Sequence, residues 1–371
     1  MAKATGIIIS SANNVRVEGM QDYRPMGAFS FLGRFRVIDF PISNMSNSDI
    51  DHIQCYVREN PRSLAEHIGN GSNYNINSKK GKMQLLFAEN SALNNIYNTD
   101  ISAFAENLNV IERSRQEYVV IAPSYMIYKQ NYATLLDEHI ATGADVTLLY
   151  HKVNNAKDSF LNCDYIEMNK QKGVLAIKKN SGTAANRDIF MDTYVMKKEI
   201  FVDMIKKAKK LSSVLTLAQI INRECEKLDI RGVAHRGFFA TVLDLKSYMD
   251  ANLSLLNYEE ATDLFKDEWP IYTATTDACP TQYFEGGSAK QAMIANGCLI
   301  KGSVENSVIG RGVTVEEGAV IKNCVVNAYA VIGKGVHIEN QIVDKWAQIK
   351  NVPELIGTPE QPGYVRRDDI L

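Results

Sequence analysis

The reactive side chains of this chain exclude more chemistry than they suggest. Six cysteines, Cys55, Cys163, Cys225, Cys279, Cys298 and Cys324, are scattered without a CxxC pair, so neither a zinc site nor a disulfide framework is indicated. His52 and His67 are too far apart to meet a metal from one helix face, and no His-Glu-x-x-His or Gly-x-Ser-x-Gly pattern occurs. Lys206-Lys207-Ala208-Lys209-Lys210 is a basic run on a predicted helix and reads as a solvated face. Two segments are left. Ile9-Ser10-Ser11-Ala12-Asn13-Asn14-Val15-Arg16-Val17 follows a β-rich run and carries one cation, and Arg34-Phe35-Arg36-Val37-Ile38-Asp39-Phe40-Pro41-Ile42-Ser43-Asn44 carries two arginines before an aspartate. A cation can neutralise a phosphate, yet a lone arginine such as Arg16 serves equally as a solvated charge.

The elements that must hold these segments fall into two patterns. With 371 residues, 45% of them apolar, the chain can build one large domain and a smaller one around a sizeable core. A net charge of -2 gives no reason to expect nucleic acid or an acidic membrane as a partner. No charged-then-apolar leader opens the chain and no apolar run approaches the roughly 20 residues that span a bilayer, so a cytoplasmic protein is expected. Up to a boundary near Asp277 to Gly287, short apolar runs such as Thr5–Ile9, Tyr118–Ala122 and Asp145–Tyr150 alternate with helical stretches such as Tyr132–Thr142 and Lys198–Leu211. This is the pattern of an α/β domain with a mostly parallel sheet covered on both faces. The segment Gly69–Gly81, rich in Gly, Asn, Ser and Lys, reads as a mobile loop.

Beyond the boundary the period changes to about six, which suits a parallel β-helix of hexapeptide repeats. Small or apolar residues recur at Cys298 and Val304, at Val313 and Ala319, and after a one-residue slip at Cys324, Ala330, Val336 and Ile342. About three coils are expected, and a short solenoid exposes strand edges at its ends, so a cap or a second subunit should cover them.

This layout, with Ile38–Asn44, Ser46-Asn47-Ser48-Asp49-Ile50, Ile127-Tyr128-Lys129, Ser247-Tyr248 before Ala251-Asn252-Leu253, and Trp269–Thr273 in order, resembles ADP-glucose pyrophosphorylase (glucose-1-phosphate adenylyltransferase) over nearly the whole chain. The resemblance implies a Rossmann-like nucleotidyltransferase domain over 1–280 and a left-handed β-helix over 281–371. It also implies transfer of a nucleotidyl group from ATP to glucose 1-phosphate, which depends on charge neutralisation and alignment.

Against that implied chemistry the sequence departs at several places. The family's glycine loop LAGGxGxRL lets backbone N–H groups approach the triphosphate, but it reads Ile9–Val17 here, with every glycine gone and Arg16 retained as the remaining phosphate-binding candidate. The lysine of RAKP is Met26. The two aspartates expected to hold magnesium align with Tyr125 and Thr241, and Asp244 falls three residues late, an odd offset that points to the opposite face of a strand. The sugar-phosphate motif EKP reads Lys178-Lys179-Asn180. No catalytic residue, metal ligand or cofactor is therefore expected.

The sequence is most similar to the family's GlgD-type subunit, which implies a regulatory, catalytically weak or inactive partner of the catalytic ADP-glucose pyrophosphorylase subunit in a hetero-tetramer of glycogen biosynthesis. Arg24 and Arg36 match basic positions that in the family lie towards an effector site between the two domains, and Lys345 follows a similar VID run. The implication is a site for a phosphorylated small-molecule effector, a sugar bisphosphate or a nucleotide monophosphate. Surface charges or ion pairs with residues such as Asp39 are the alternative. Two other functions stay open: a diverged but active sugar-phosphate nucleotidyltransferase, and a hexapeptide acyltransferase, for which His337 is the one histidine of the β-helix region.

Overall fold

The computed structural model describes residues 3–371 except 14, 78, 80, 88–97 and 213. Ala4–Ile9 is buried at every position, as a central strand covered on both faces must be, and it runs parallel to Tyr118–Pro123 on one side and His52–Val57 on the other. Lys82–Phe87 continues the parallel run. Arg187–Lys197 enters antiparallel beside Tyr118–Pro123 and bridges to Val146–Val153 and Asp164–Met168, which completes, with Val174–Lys179 and Ile230–His235, a mixed, nine-stranded sheet among the described residues.

Local chemistry sets the helix ends. Tyr132–Thr142 starts where the Asn131 side chain accepts from the N–H groups of Ala133 and Thr134, and it stops at Gly143, whose φ of 66° is left-handed. Lys198–Leu211 buries Phe201, Val202, Met204, Ile205 and Ala208 on one face and leaves Lys209 and Lys210 in solvent. Lys206 and Lys207 pair with Glu112 and Glu224, so the basic run is a solvated face, as expected. Among the described residues no helix is long and apolar enough to cross a membrane.

The second body is a left-handed β-helix of three parallel, five-stranded sheets. It has five coils where the hexapeptide count suggested about three, because a coil built from Gln282–Tyr283, Ser288–Lys290 and Met293–Ile294 precedes Cys298, and the chain closes with Glu354–Ile356 and Gly363–Val365. Val308 pairs with Val325 and Val325 with Ile342, a spacing of 17 residues. That is one short of three hexapeptides, and it is the origin of the slip at Cys324. Val304, Ile321 and Ile338 stack inwards on successive coils and are buried. At the far end the Leu371 N–H donates to the Gln348 carbonyl at 2.9 Å, so the last residues pair with an otherwise open strand.

The two bodies share a core. Val308, Val325 and Ile342 lie in the same buried cluster as Phe29 and Tyr248, and the Tyr248 hydroxyl donates to the Ser30 carbonyl at 2.7 Å. Gly33 adopts a φ of 67°, and a Cβ there would come within 2.6 Å of the Ile309 carbonyl oxygen, so this turn needs glycine to let the α/β domain meet the β-helix.

Candidate functional site

Two clefts collect the residues of interest. The first, of about 470 Å³, opens at the end of the central strand, between the segment after Ile9 and the strand Arg187–Lys197. A phosphate loop would present N–H groups here. Instead the carbonyls of Ser11 and Ala12 both accept from the buried Arg58 guanidinium, which also donates to Asn13 Oδ1 at 2.7 Å. Asn13 Nδ2 in turn donates to Asp100 Oδ2 at 2.9 Å, and the Leu217 N–H reaches Asp100 Oδ1 at 3.1 Å. Burial pushes the Asp100 carboxyl up to about 6 and draws Arg58 below its ordinary value. Asn14 lies outside the described residues.

Met26 is wholly buried, with its sulfur 3.5 Å from the Ala12 N–H, so the lysine position of the family holds packing rather than charge. Tyr125 is buried too, and its hydroxyl donates to Asp192, whose other oxygen accepts from the Tyr194 hydroxyl at 2.7 Å. Burial, then the Asp192 charge, holds the Tyr125 phenol well above its ordinary value, and it stays protonated. Asp192 has a φ of 47°, a left-handed conformation that aspartate tolerates better than most residues. Asp164, also on this cleft, is pushed up to about 6 by burial and then by Asp192, with Lys179 at 4.0 Å as its counterion. The cleft thus brings two carboxylates and one lysine together where a triphosphate would require cations.

The other aligned positions do not repair this. Asp244 caps the helix Leu245–Ser254 by accepting from the Ser247 N–H at 2.6 Å, so it is a structural carboxylate. Asn180 is buried and donates to the Ala156 and Phe160 carbonyls, and Lys178 pairs with Glu167. Arg16, the phosphate candidate, stands half exposed in an ion pair with Asp22 at 2.7 Å and does not line the cleft. Among the described residues no group of His, Cys, Asp and Glu is arranged to hold a metal ion.

The second cleft, of about 320 Å³, lies where the two bodies meet, and it brings Arg24, Arg36 and Lys345 together. Arg34, Arg311 and Arg367 join them, giving six cations against one carboxylate, Glu66, on the lining. Arg24 is buried and ion-paired with Asp344. Arg36 donates from its guanidinium to the Ala28 carbonyl; its backbone N–H meets Asp39 Oδ2 at 2.8 Å. The alternative of an Asp39 ion pair does not hold for this guanidinium, because the second Asp39 oxygen accepts from His67 at 2.6 Å and from the Tyr74 hydroxyl at 2.7 Å. Tyr74 belongs to the short turn Ser72–Tyr74, so part of the glycine- and asparagine-rich segment is pinned, although 78 and 80 lie outside the described residues.

Crowding shows in the titration of these groups. Burial and then Arg24 draw Arg36 below its ordinary value, burial and then Arg34 do the same to Arg311, and burial, then Arg36 and Arg24, bring Lys345 down to about 6. Two unpartnered buried polar atoms, Arg24 Nε and Ser63 Oγ, belong to residues of the same lining. Arg367 lies 4.5 Å over the Trp346 ring, which stacks on Tyr329. The sequence reading missed Arg34, Arg311 and Arg367. For Arg311 a signal existed: at 17 residues per coil, positions 311, 328 and 345 share one corner, and the Tyr329 N–H donates to the Arg311 carbonyl at 2.8 Å.

A family model described as nucleotidyl transferase matches residues 6–257, and one described as GlmU-like, C-terminal hexapeptide matches 279–361. The chain is 26% identical over 364 residues to the glycogen biosynthesis protein GlgD of Bacillus subtilis, covering 98% of this chain and 95% of the relative. It is 28% identical over 349 residues to the glucose-1-phosphate adenylyltransferases of Bacillus cereus and Bacillus anthracis, covering 92% of this chain and 91% of theirs.

Proposed function

The chain belongs to the nucleotidyl transferase family, beside the glucose-1-phosphate adenylyltransferases and GlgD, and from that position we propose that it is the regulatory, catalytically inactive subunit of an ADP-glucose-forming enzyme in glycogen biosynthesis. One observation carries the reading. At the place expected to hold a metal carboxylate, Tyr125 donates to Asp192, so phenol and carboxylate satisfy each other and the cleft wall is negative. A nucleotidyl transfer needs that wall to neutralise phosphate charge, and losing one such electrostatic group costs about 3 kcal/mol of transition-state stabilisation.

The unspent positive charge sits at the domain junction. Four of the six basic groups there, Arg34, Arg36, Arg311 and Lys345, have no carboxylate partner among the described residues, which suits a phosphorylated effector bound by charge-assisted donors. The working assembly is a mixed tetramer with catalytic subunits, in a cytoplasmic setting, and effector occupancy at the junction alters the response of the catalytic partner.

The test is ADP-glucose formation from ATP, magnesium and glucose 1-phosphate, by the purified chain alone and then mixed with the catalytic homologue of the same cell. The expected result is silence alone and a changed maximal rate or effector response in the mixture. Substantial turnover by the chain alone overturns the reading and favours a diverged active nucleotidyltransferase.

A further inference from the structure

We propose that an anion enters the cleft of Arg24, Arg36 and Lys345 together with a proton, which the Lys345 amine takes from solvent, so that the junction responds to pH as well as to phosphate. This rests on the effector reading above and adds its regulation.

The geometry leaves Lys345 Nζ surrounded by like charge. On its own turn, the neighbouring Asp344 is spent: it accepts from Arg24, from the Tyr364 hydroxyl at 2.8 Å and from the Lys345 backbone N–H at 2.7 Å. From the strand pair Ser30–Phe31 and Phe35–Arg36 and the turn between them come Arg34 and Arg36; from the preceding segment come Tyr23 and Arg24. The helix Arg62–Ile68 contributes Glu66, held by Arg62 at 2.8 Å, and His67, held by Asp39 at 2.6 Å. Arg311 arrives from a lower coil, and Arg367, beside Asp368, from the C-terminal segment. Among the described residues no carboxylate lies within ion-pair distance of Lys345 Nζ, whereas five arginines line the same cleft.

An ammonium so placed is the least stable of the six charges, and a lysine, unlike an arginine, can relieve the crowding by releasing its proton. Burial, then Arg36 and Arg24, bring it down to about 6, so at pH 7.5 the empty cleft holds a neutral amine. A phosphate dianion reverses the field at that atom. The amine lone pair then binds a proton, and the new ammonium donates to a phosphate oxygen, with no other bond made or broken.

Calorimetric titration with glucose 1,6-bisphosphate at pH 7.5, in two buffers of different ionisation enthalpy, reads the protons taken up per ligand. The expected uptake is close to one, and affinity should weaken about tenfold from pH 7.5 to 8.5, a window above the ordinary ranges of phosphate monoesters and imidazole. In Lys345→Gln, uptake should vanish and the affinity should lose its pH dependence. Binding by the wild-type chain without proton uptake overturns the proposal and leaves the effector reading standing. Uptake that persists in Lys345→Gln overturns the assignment to this residue. If no binding occurs at any pH from 6 to 8.5, the effector reading fails and the proposal with it. The wild-type measurement decides even if the variant does not fold.

Discussion

The two clefts are opposites in charge and in how their charges are neutralised, although each holds one buried guanidinium nitrogen without a partner, Arg58 Nε in the first and Arg24 Nε in the second. In the cleft beside the central strand, each charged group has found a partner of the chain's own making: Arg58 on the Ser11 and Ala12 carbonyls, Asp100 on Asn13, Asp192 between two phenols. At the junction, Asp344 and Asp39 are consumed by a few donors and most of the cations remain without a counterion. A self-satisfied site gains little by binding anything, whereas a crowded, under-neutralised one gains most from an anion. The contrast is the ground for proposing an anion at the second cleft, while the charged groups of the first hold structure together.

The sharpest way to break this contrast is to remove the one carboxylate that the junction relies on. Arg24 and Asp344 are both buried, with side-chain exposures of 4% and 0%, so Asp344→Ala strands a guanidinium in the interior. The expected loss is about 3 kcal/mol in urea-induced unfolding, and millimolar phosphate should restore part of it, because a ligand that binds only the folded state stabilises it by mass action. No rescue by phosphate would mean that the cations do not act as an anion site.

Affinity gives the next largest effect. Arg36→Ala removes a donor without breaking an ion pair of its own, since its guanidinium donates to the Ala28 carbonyl. Phosphate-ester binding should weaken by about 2 kcal/mol, roughly thirtyfold, while the Ala28 carbonyl loses its donor at a stability cost of about 1 kcal/mol. Calorimetry with the same bisphosphate measures it, and unchanged affinity would place the ligand elsewhere.

These partners show how much was legible beforehand. The helices Tyr132–Thr142 and Lys198–Leu211 could be read to the residue because their ends are set locally, by Asn131 and Gly143 in the first and by the amphipathic face in the second. The emptied glycine loop was plain in the run Ile9–Val17, and Arg24, Arg36 and Lys345, named from the family resemblance, do share one cleft, with an effector there remaining a proposal. Arg58, Asp100 and Asp192 could not: Arg58 meets Asn13 across 45 residues, and Asp100 meets Leu217 across 117. Nothing in their immediate neighbours announces those contacts. The number of coils was missed for a different reason: the 17-residue coil accounts for the slip at Cys324, but the strands before Cys298 and after Ile349 lie outside the run of small and apolar residues that was counted.

The pH dependence of stability should carry opposite signs in the two clefts. Asp100 is pushed up to about 6 when folded, so between roughly pH 4 and 6 the folded state holds a proton that the unfolded state has released, and stability falls as pH rises through that window. Lys345 is lowered to about 6, so from pH 6 towards 10 the unfolded state holds the extra proton and stability rises with pH. Differences between the wild type and Asp100→Asn should therefore change by about 2 kcal/mol between pH 4 and 7, and by nothing above pH 7.5. Unfolding midpoints across pH supply the comparison, and a flat difference from pH 4 to 7 would show that Asp100 is ionised throughout.

The smallest effect tests whether the first cleft excludes nucleotide. Tyr125→Phe removes one donor from Asp192 and leaves the other, the Tyr194 hydroxyl at 2.7 Å. Stability should drop by about 1 kcal/mol, the scale of one hydrogen bond to a partly satisfied group. Bisphosphate affinity at the junction should stay within about twofold, because the two sites share no partner. ATP is expected to bind neither the wild type nor the variant, since the Asp192 carboxylate, which would repel its phosphates, is then more exposed rather than removed. If ATP binds to the variant and not to the wild type, the phenol alone is the plug, and the negative wall formed by Asp192 and Asp164 does not exclude nucleotide.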